Sequence, residues 1–475
     1  MAPGGRQVGG GSLQDEDAKN MFDRIGKFVH DKVKEEAKTY IEELKAGVSF
    51  TSIFGEETVS TADPCELVED YRRKNTGTAD AHGDPCKKDT NGNDVDRFSV
   101  KEQAEYDNKK MKCSNGDACA PFRRLHLCNK NFPNMNSNDS SKAKHDLLAE
   151  VCMAAKFEGE SLKTYRAQYD EQYPSSGSSF TMCTMLARSF ADIGDIIRGR
   201  DLYSGNSKEK KQRKQLEKNL KEIFGKIYNE LTKEKRSRYN GDTTNYYQLR
   251  EDWWNANRET VWKAMTCSDD LKDASYFRAT CSMNGSGAQA KNKCTCINGD
   301  PPTYFDYVPQ FLRWFEEWAE DFCRKKKKKL ENVKKQCRGV YEGKERYCSL
   351  NGYDCEKTVR ARGKLRYGNR CIDCLYACNP YVEWIDNQRK QFLKQKERYD
   401  NVINGASVSR RQKPGASTTN YDGYEKKFYE ELNKSEYRTV DAFLEKLSKE
   451  KACTAITDGG KIDFKQVNSG SASDS

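Results

Sequence analysis

The chain has 475 residues, of which 33% are charged and 35% apolar, and the excess of 83 basic over 73 acidic residues is a modest +10. The 25 Tyr, 20 Phe and 6 Trp exclude an ordinary disordered chain, which lacks such anchors. No run of about 18 apolar residues exists to cross a membrane, so no membrane insertion is expected within this segment.

Residues 1–14 are Gly-rich, and Met1 to His30 contains no secretory-type apolar stretch. Phe22, Ile25, Val29, Val33, Tyr40 and Leu44 then recur at helical spacing, predicting one long amphipathic helix closed by Gly47. It carries no cysteine and should dock on the main body through Phe22, Ile25, Val29 and Val33. Residues 61–145 read as loops and short helices, with Cys65, Cys86, Cys113, Cys119 and Cys128 among Gly, Asn, Asp and Pro. Helical faces follow from Leu147, from Met182 to Ile197, from Leu216 to Leu231 after a Ser207 cap, and from Trp254 to Met265.

Cys267, Cys281, Cys294 and Cys296 mark a cross-linked loop over 267–300. Cys294 and Cys296 stand too close to bridge each other, so each should pair elsewhere. A fifth helix runs on from Pro309 through Trp314, Trp318, Leu330 and Val333 to Cys337. A second cysteine-rich segment holds Cys348, Cys355, Cys371, Cys374 and Cys378, and a helix is predicted after Pro380. Residues 404–420 are a polar break, and a last helical pair precedes Cys453. The end, 468–475, reads as a linker, which suggests a piece of something longer.

These elements group as an N-terminal segment (1–60), a loop-rich disulfide subdomain (61–145), a central helical bundle (146–322), a C-terminal helical disulfide subdomain (323–467) and the linker. The fold class is mainly α. Nineteen cysteines beside so thin an apolar complement indicate a disulfide scaffold made in an oxidising compartment, with the odd cysteine either free or paired outside this segment.

Cys371, Cys374 and Cys378 have a metal-ligand spacing and would share one helical face. The surrounding cysteines favour disulfides, and none of His30, His82, His126 or His145 is close in sequence, so neither metal nor cofactor is expected. No phosphate-binding loop, zinc-protease motif or serine-nucleophile motif is present, and paired carboxylates read as solvated helical faces. An enzyme is not expected. Nucleic acid is not an expected partner either, since no zinc-finger, RNP-like or basic-zipper pattern occurs.

Three basic clusters are the functional signal. Lys208, Lys210, Lys211, Arg213 and Lys214 form the first; Lys325, Lys326, Lys328 and Lys329 the second; Arg360, Arg362, Lys364, Arg366 and Arg370 the third. A sulfated polysaccharide is a line of anions and needs several cations within a Debye length of about 8 Å. The competing reading is that each run is a solvated face. Neutral sugars would instead stack on aromatics, for which Asn245, Tyr246 and Tyr247 are candidates; packing of the following helix start competes with that role.

Four stretches stand in order along the chain: CAPFRRLHLCNKNF at 119–132, LARSFADIGDIIRGRDLY at 186–203, EDWWNANRETVWKAMTC at 251–267 and YVPQFLRWFEEW at 307–318. Together they resemble the signature blocks of the alpha-type Duffy-binding-like domain of the Plasmodium falciparum erythrocyte membrane protein family. AKNMFDRIGKFVHDKV at 18–33 resembles that family's N-terminal segment. The resemblance implies a three-part, disulfide-stapled domain exported to the infected erythrocyte surface, facing outward, with its transmembrane anchor outside this segment. It implies an adhesin head for cytoadhesion or rosetting, and partners among erythrocyte or endothelial receptors, heparan-sulfate-like sulfated glycosaminoglycans and blood-group oligosaccharides. The alternatives are a protein receptor, or an antigenic spacer whose binding lies in downstream domains. The blocks themselves read as core, with Arg198, Arg200 and Asp201 capping or bridging in the bundle.

Overall fold

The computed structural model describes residues 16–47, 63–66, 68, 85–86, 119–172, 182–341, 343–347, 355–360, 372–404, 423–456 and 462–465, apart from a few positions within these ranges. The fold is mainly helical. The polar break at 404–420 apart from Asn404, most of residues 61–118 of the loop-rich stretch 61–145, Cys113, Cys348 and Cys371 lie outside the described residues.

Helix α1 (Ala18–Ala37) starts where the Asp17 carboxylate accepts the Asn20 N–H at 2.9 Å, an N-cap that satisfies an orphan donor. Its apolar stripe is buried: Phe22 packs its ring 5.5 Å from Phe443 and 6.2 Å from Phe428. Gly26 is required by close approach, because a Cβ there would stand 2.5 Å from the Tyr304 carbonyl oxygen. The single long helix read from the sequence is two pieces. The chain leaves α1 at Lys38 and resumes as a turn of helix at Ile41–Leu44. Tertiary contacts explain the break: Lys235 donates to the Thr39 carbonyl, and Tyr40 packs on Tyr239.

The central bundle comprises α2 (Ala143–Gln172), α3 (Met182–Ile197), α4 (Ser207–Glu230), α5 (Tyr247–Met265) and α6 (Gln310–Cys337). α3 is its axis, with every residue from Cys183 to Ile197 buried. α4 begins one residue earlier than read from the sequence: Asn206, not Ser207, caps it, in a reciprocal capping box with Glu209. The 28-residue α6 starts after Pro309 and changes character along its length. It is buried all round from Gln310 to Asp321, and beyond Phe322 it is amphipathic.

Past α6 lie the short helix α7 (Cys355–Arg360), the 32-residue α8 (Ile372–Ile403), α9 (Gly423–Lys434) and α10 (Val440–Ser448). The sequence placed α8 after Pro380, but the helix begins eight residues earlier and passes through the proline. Proline normally breaks a helix by removing a donor and crowding the preceding turn. Here Cys374 and Cys378 before it and Tyr381 and Trp384 after it are all buried in one small cluster, which holds the helix on both sides. Two hairpins are the described β structure: β1 (Cys281–Met283) with β2 (Ser286–Ala288), inside the cross-linked loop, and β3 (Arg338–Tyr341) with β4 (Lys344–Tyr347).

One large apolar core runs from Ala18 to Phe464, and a satellite core holds Val333, Cys337, Cys374, Ala377, Cys378, Tyr381 and Trp384. Disulfides join Cys65 to Cys267, Cys86 to Cys128, Cys183 to Cys294, Cys281 to Cys296, Cys323 to Cys453, Cys337 to Cys374 and Cys355 to Cys378. Cys119 is also disulfide-bonded. Cys294 and Cys296 do each pair elsewhere. Cys183 and Cys323 had not been singled out in the sequence because they sit inside apolar helical faces.

Candidate receptor-binding surface

Charge in this molecule is divided between a sealed interior and an open exterior, and only the exterior can meet a partner. The interior belongs to the family-like blocks. Arg123 lays its guanidinium along Glu317, with both hydrogen bonds at 3.0 Å, and also donates to Asp192 at 2.6 Å and Ser189 at 2.9 Å. Arg313 reaches Asp192 at 2.7 Å and Asp195 at 2.6 Å. Arg188 is held between Glu316 and Glu320, both at 2.7 Å. Arg258 grips Asp306 with two hydrogen bonds of 2.8 Å, and the Trp254 indole N–H donates to the same carboxylate at 2.9 Å. Arg198 bridges to Asp195 at 3.0 Å, and Asp201 receives Arg124.

These groups are almost wholly removed from water. The expectation that paired carboxylates line solvated faces is therefore wrong for α3 and α6: their acids face guanidinium forks, whose geometry suits bidentate burial. Burial alone would raise the Asp192 carboxyl, but Arg123 and Arg313 overcome it and hold the group down at about 2. Burial dominates at Glu316, where Arg188 and Lys19 offset it only partly, and its carboxyl is raised.

On the outside, α4 carries the first basic cluster. Lys208, Lys210, Lys211 and Lys214 are exposed. Arg213 is not part of that surface; it turns inward and donates to the carbonyls of Tyr203 and Asp201. Two lysines absent from the candidate set complete the pattern. Lys210, Lys211, Lys214, Lys218 and Lys221 are all exposed. At 3.6 residues per turn they fall within an arc of about 100° and run about 16 Å along the helix. Leu216, Leu220, Ile223, Phe224 and Ile227 form the opposite, buried face. The i, i+3 and i+4 steps from Lys211 to Lys221 were a readable signal; counting charge within a window hid it. Lys218 lies 3.8 Å from Glu222, a weak exposed pair.

The second cluster is divided. Lys325 is buried and paired with Asp321 at 2.9 Å, so it cannot serve a ligand. Lys326, Lys327 and Lys329 are half-buried, Lys329 lying over the Trp384 ring, and Lys328 is exposed. In the third cluster, Arg362, Lys364, Arg366 and Arg370 lie outside the described residues, and Arg360 ends α7. The neutral-sugar candidates are half-buried. Tyr246 takes a left-handed conformation (φ 57°) at the start of α5 and packs on Tyr228, while Tyr247 lies beside the guanidinium groups of Arg200 and Arg250. Of the described cysteines, Cys152 carries the free thiol; burial pushes it far above the usual range and leaves it unreactive.

Three family models match the chain: N-terminal segments of PfEMP1 over residues 17–45, the Duffy binding domain over 117–313, and the Duffy-binding-like C-terminal subdomain over 317–473. The crystal structure of the NTS-DBL1(alpha-1) domain of Plasmodium falciparum PfEMP1, varO strain, is similar at 36% identity and a TM-score of 0.68, covering 96% of this chain and 93% of that one. The structure of an ICAM-1-binding PfEMP1 DBLbeta domain is similar at 25% identity and a TM-score of 0.56, covering 89% and 90%. The Duffy receptor of Plasmodium vivax is 24% identical over 62% of this chain, which spans 22% of that protein's length.

Proposed function

Since this chain belongs to the Plasmodium falciparum erythrocyte membrane protein 1 family, as an N-terminal segment joined to an alpha-type Duffy-binding-like domain, we propose that it is a receptor-binding adhesin head displayed on the infected erythrocyte and that it binds sulfated host glycans. The observation that supports this reading is the lysine stripe of α4. Five exposed cations follow one line over a length suited to a linear polyanion rather than a single charged group. Neighbouring lysines at i, i+3 and i+4 stand about 5–6 Å apart, inside the screening length at physiological salt. The stripe begins near the positive end of the α4 macrodipole, which adds to the attraction for anions. Rosetting and endothelial attachment would both follow from a glycan shared by these surfaces.

The test is binding of the oxidised chain to immobilised heparan sulfate at rising salt. Affinity should fall steeply with salt, and Lys211→Glu/Lys214→Glu/Lys218→Glu/Lys221→Glu should lower it at least tenfold. A second reading, a protein receptor, draws on the name of the ICAM-1-binding relative. It predicts that the four-site variant still attaches to host cells after losing heparan sulfate.

A further inference from the structure

Two disulfides meet where α6, α7 and α8 come together, and three of their four sulfurs form one cluster. Cys337 closes α6 and is bonded to Cys374 of α8; Cys355 opens α7 and is bonded to Cys378 of α8. The two bonds lie against each other. The Cys378 Sγ stands 3.8 Å from that of Cys337 and 3.9 Å from that of Cys374. The sulfurs of Cys337, Cys374 and Cys378 all lie within 4.8 Å of one another, and all three residues are buried. Sequence spacing had drawn attention to Cys371, Cys374 and Cys378; among the described residues Cys337 joins Cys374 and Cys378, and Cys371 lies outside them.

The two non-bonded separations match a familiar geometry. A zinc–thiolate bond of about 2.3 Å places the sulfurs of a tetrahedral site about 3.8 Å apart. Cys374 and Cys378 also stand at i and i+4, the spacing by which one helical face offers two ligands to one ion. The ends of α6 and α7 supply the other two.

We propose that in the thiol state Cys337, Cys355, Cys374 and Cys378 bind one divalent ion of the zinc class as a tetrahedral tetrathiolate. The same four residues then hold this corner together by metal before oxidation and by two disulfides after it. Each disulfide takes two electrons and two protons from a dithiol reductant, which leaves as its own disulfide. The ion displaces four protons from the four thiols. Oxidation by a disulfide-class oxidant removes four electrons from the thiolates, restores the two bonds and releases the ion. The surroundings give the site a role. The satellite core is small, with Val333, Ala377, Tyr381 and Trp384 buried beside its cysteines, so a metal cross-link would add to its stability in the unoxidised chain.

The experiment uses the full chain, reduced with a phosphine under non-denaturing conditions, stripped of metal and titrated with Co²⁺, then Zn²⁺. One Co²⁺ per chain should produce a thiolate-to-cobalt charge-transfer band with tetrahedral d–d bands, and Zn²⁺ should erase them. Cys374→Ser/Cys378→Ser should bind Co²⁺ at least tenfold more weakly, whereas Cys281→Ser/Cys296→Ser should bind like the parent. Circular dichroism recorded alongside accounts for unfolding of the reduced chain: metal should restore helical signal in the parent and in Cys281→Ser/Cys296→Ser only. A reduced parent without the tetrahedral thiolate spectrum overturns the proposal, as does undiminished binding by Cys374→Ser/Cys378→Ser.

Discussion

The first half of α6 and the outer face of α4 are both rich in charge and handle it in opposite ways. Arg313, Glu316, Glu317 and Glu320 of α6 are sealed among partners from α3 and the Phe122–Leu125 turn, whereas Lys210, Lys211, Lys214, Lys218 and Lys221 of α4 face water. The difference is in chemistry as well as place. Inside, arginine forks meet carboxylates in pairs; outside, ammonium groups stand in a row. Buried charge is tolerated only with a matched partner, and its loss leaves the partner stranded. Exposed charge adds little to stability and remains available to a ligand.

Breaking the inside should have the largest effect. Arg123→Ala leaves Glu317 and Asp192 without their shared partner and should cost about 3–5 kcal/mol, read from denaturant unfolding of the oxidised chain. A cost below about 1 kcal/mol would erase the contrast between the two regions.

Acid and base sharpen the contrast within the interior. Asp192 has its carboxyl lowered to about 2 in the folded chain, so its contribution is present above the ordinary carboxylate range and lost as pH falls from about 4 toward 2. The cost of Asp192→Asn should therefore shrink on acidification. Glu316 is raised, so its ionisation weakens the fold as pH climbs above that range, and the cost of Glu316→Gln should shrink as pH rises. Thermal unfolding of both variants across pH 3 to 8 should show the two trends crossing, with changes on the order of 1 kcal/mol.

The smallest effect belongs to α4. Lys208 stands in the first turn, where a cation opposes the helix dipole. Lys208→Glu should raise stability by about 0.3–1 kcal/mol, measured as a small rise in Tm. A loss of stability would mean that this exposed lysine, which stands beside the stripe, supports the fold.

Much of the architecture was legible in the sequence. Apolar periodicity located the central helices, because a face that must be buried repeats every 3.6 residues. Legibility failed where tertiary contact overrides local preference. Nothing local marks the end of α1 at Ala37, since Lys235 takes the Thr39 carbonyl from almost two hundred residues away. Pro380 resembled a helix start, yet buried neighbours on both sides carry α8 through it. Composition cannot separate Lys325, paired inside with Asp321, from Lys328 on the surface. Arg213 was lost from the candidate surface for the same reason: at its turn of α4 the nearest acceptors are carbonyls of the preceding loop.

The bond between Cys323 and Cys453 has a mechanical consequence. Tension applied to the backbone beyond Cys453 passes across that covalent link directly into α6. The helices α9 and α10 lie within the closed loop and are shielded from the load. Load entering by that route would be borne by α6, which is buried all round in its first half, and not by α9 and α10.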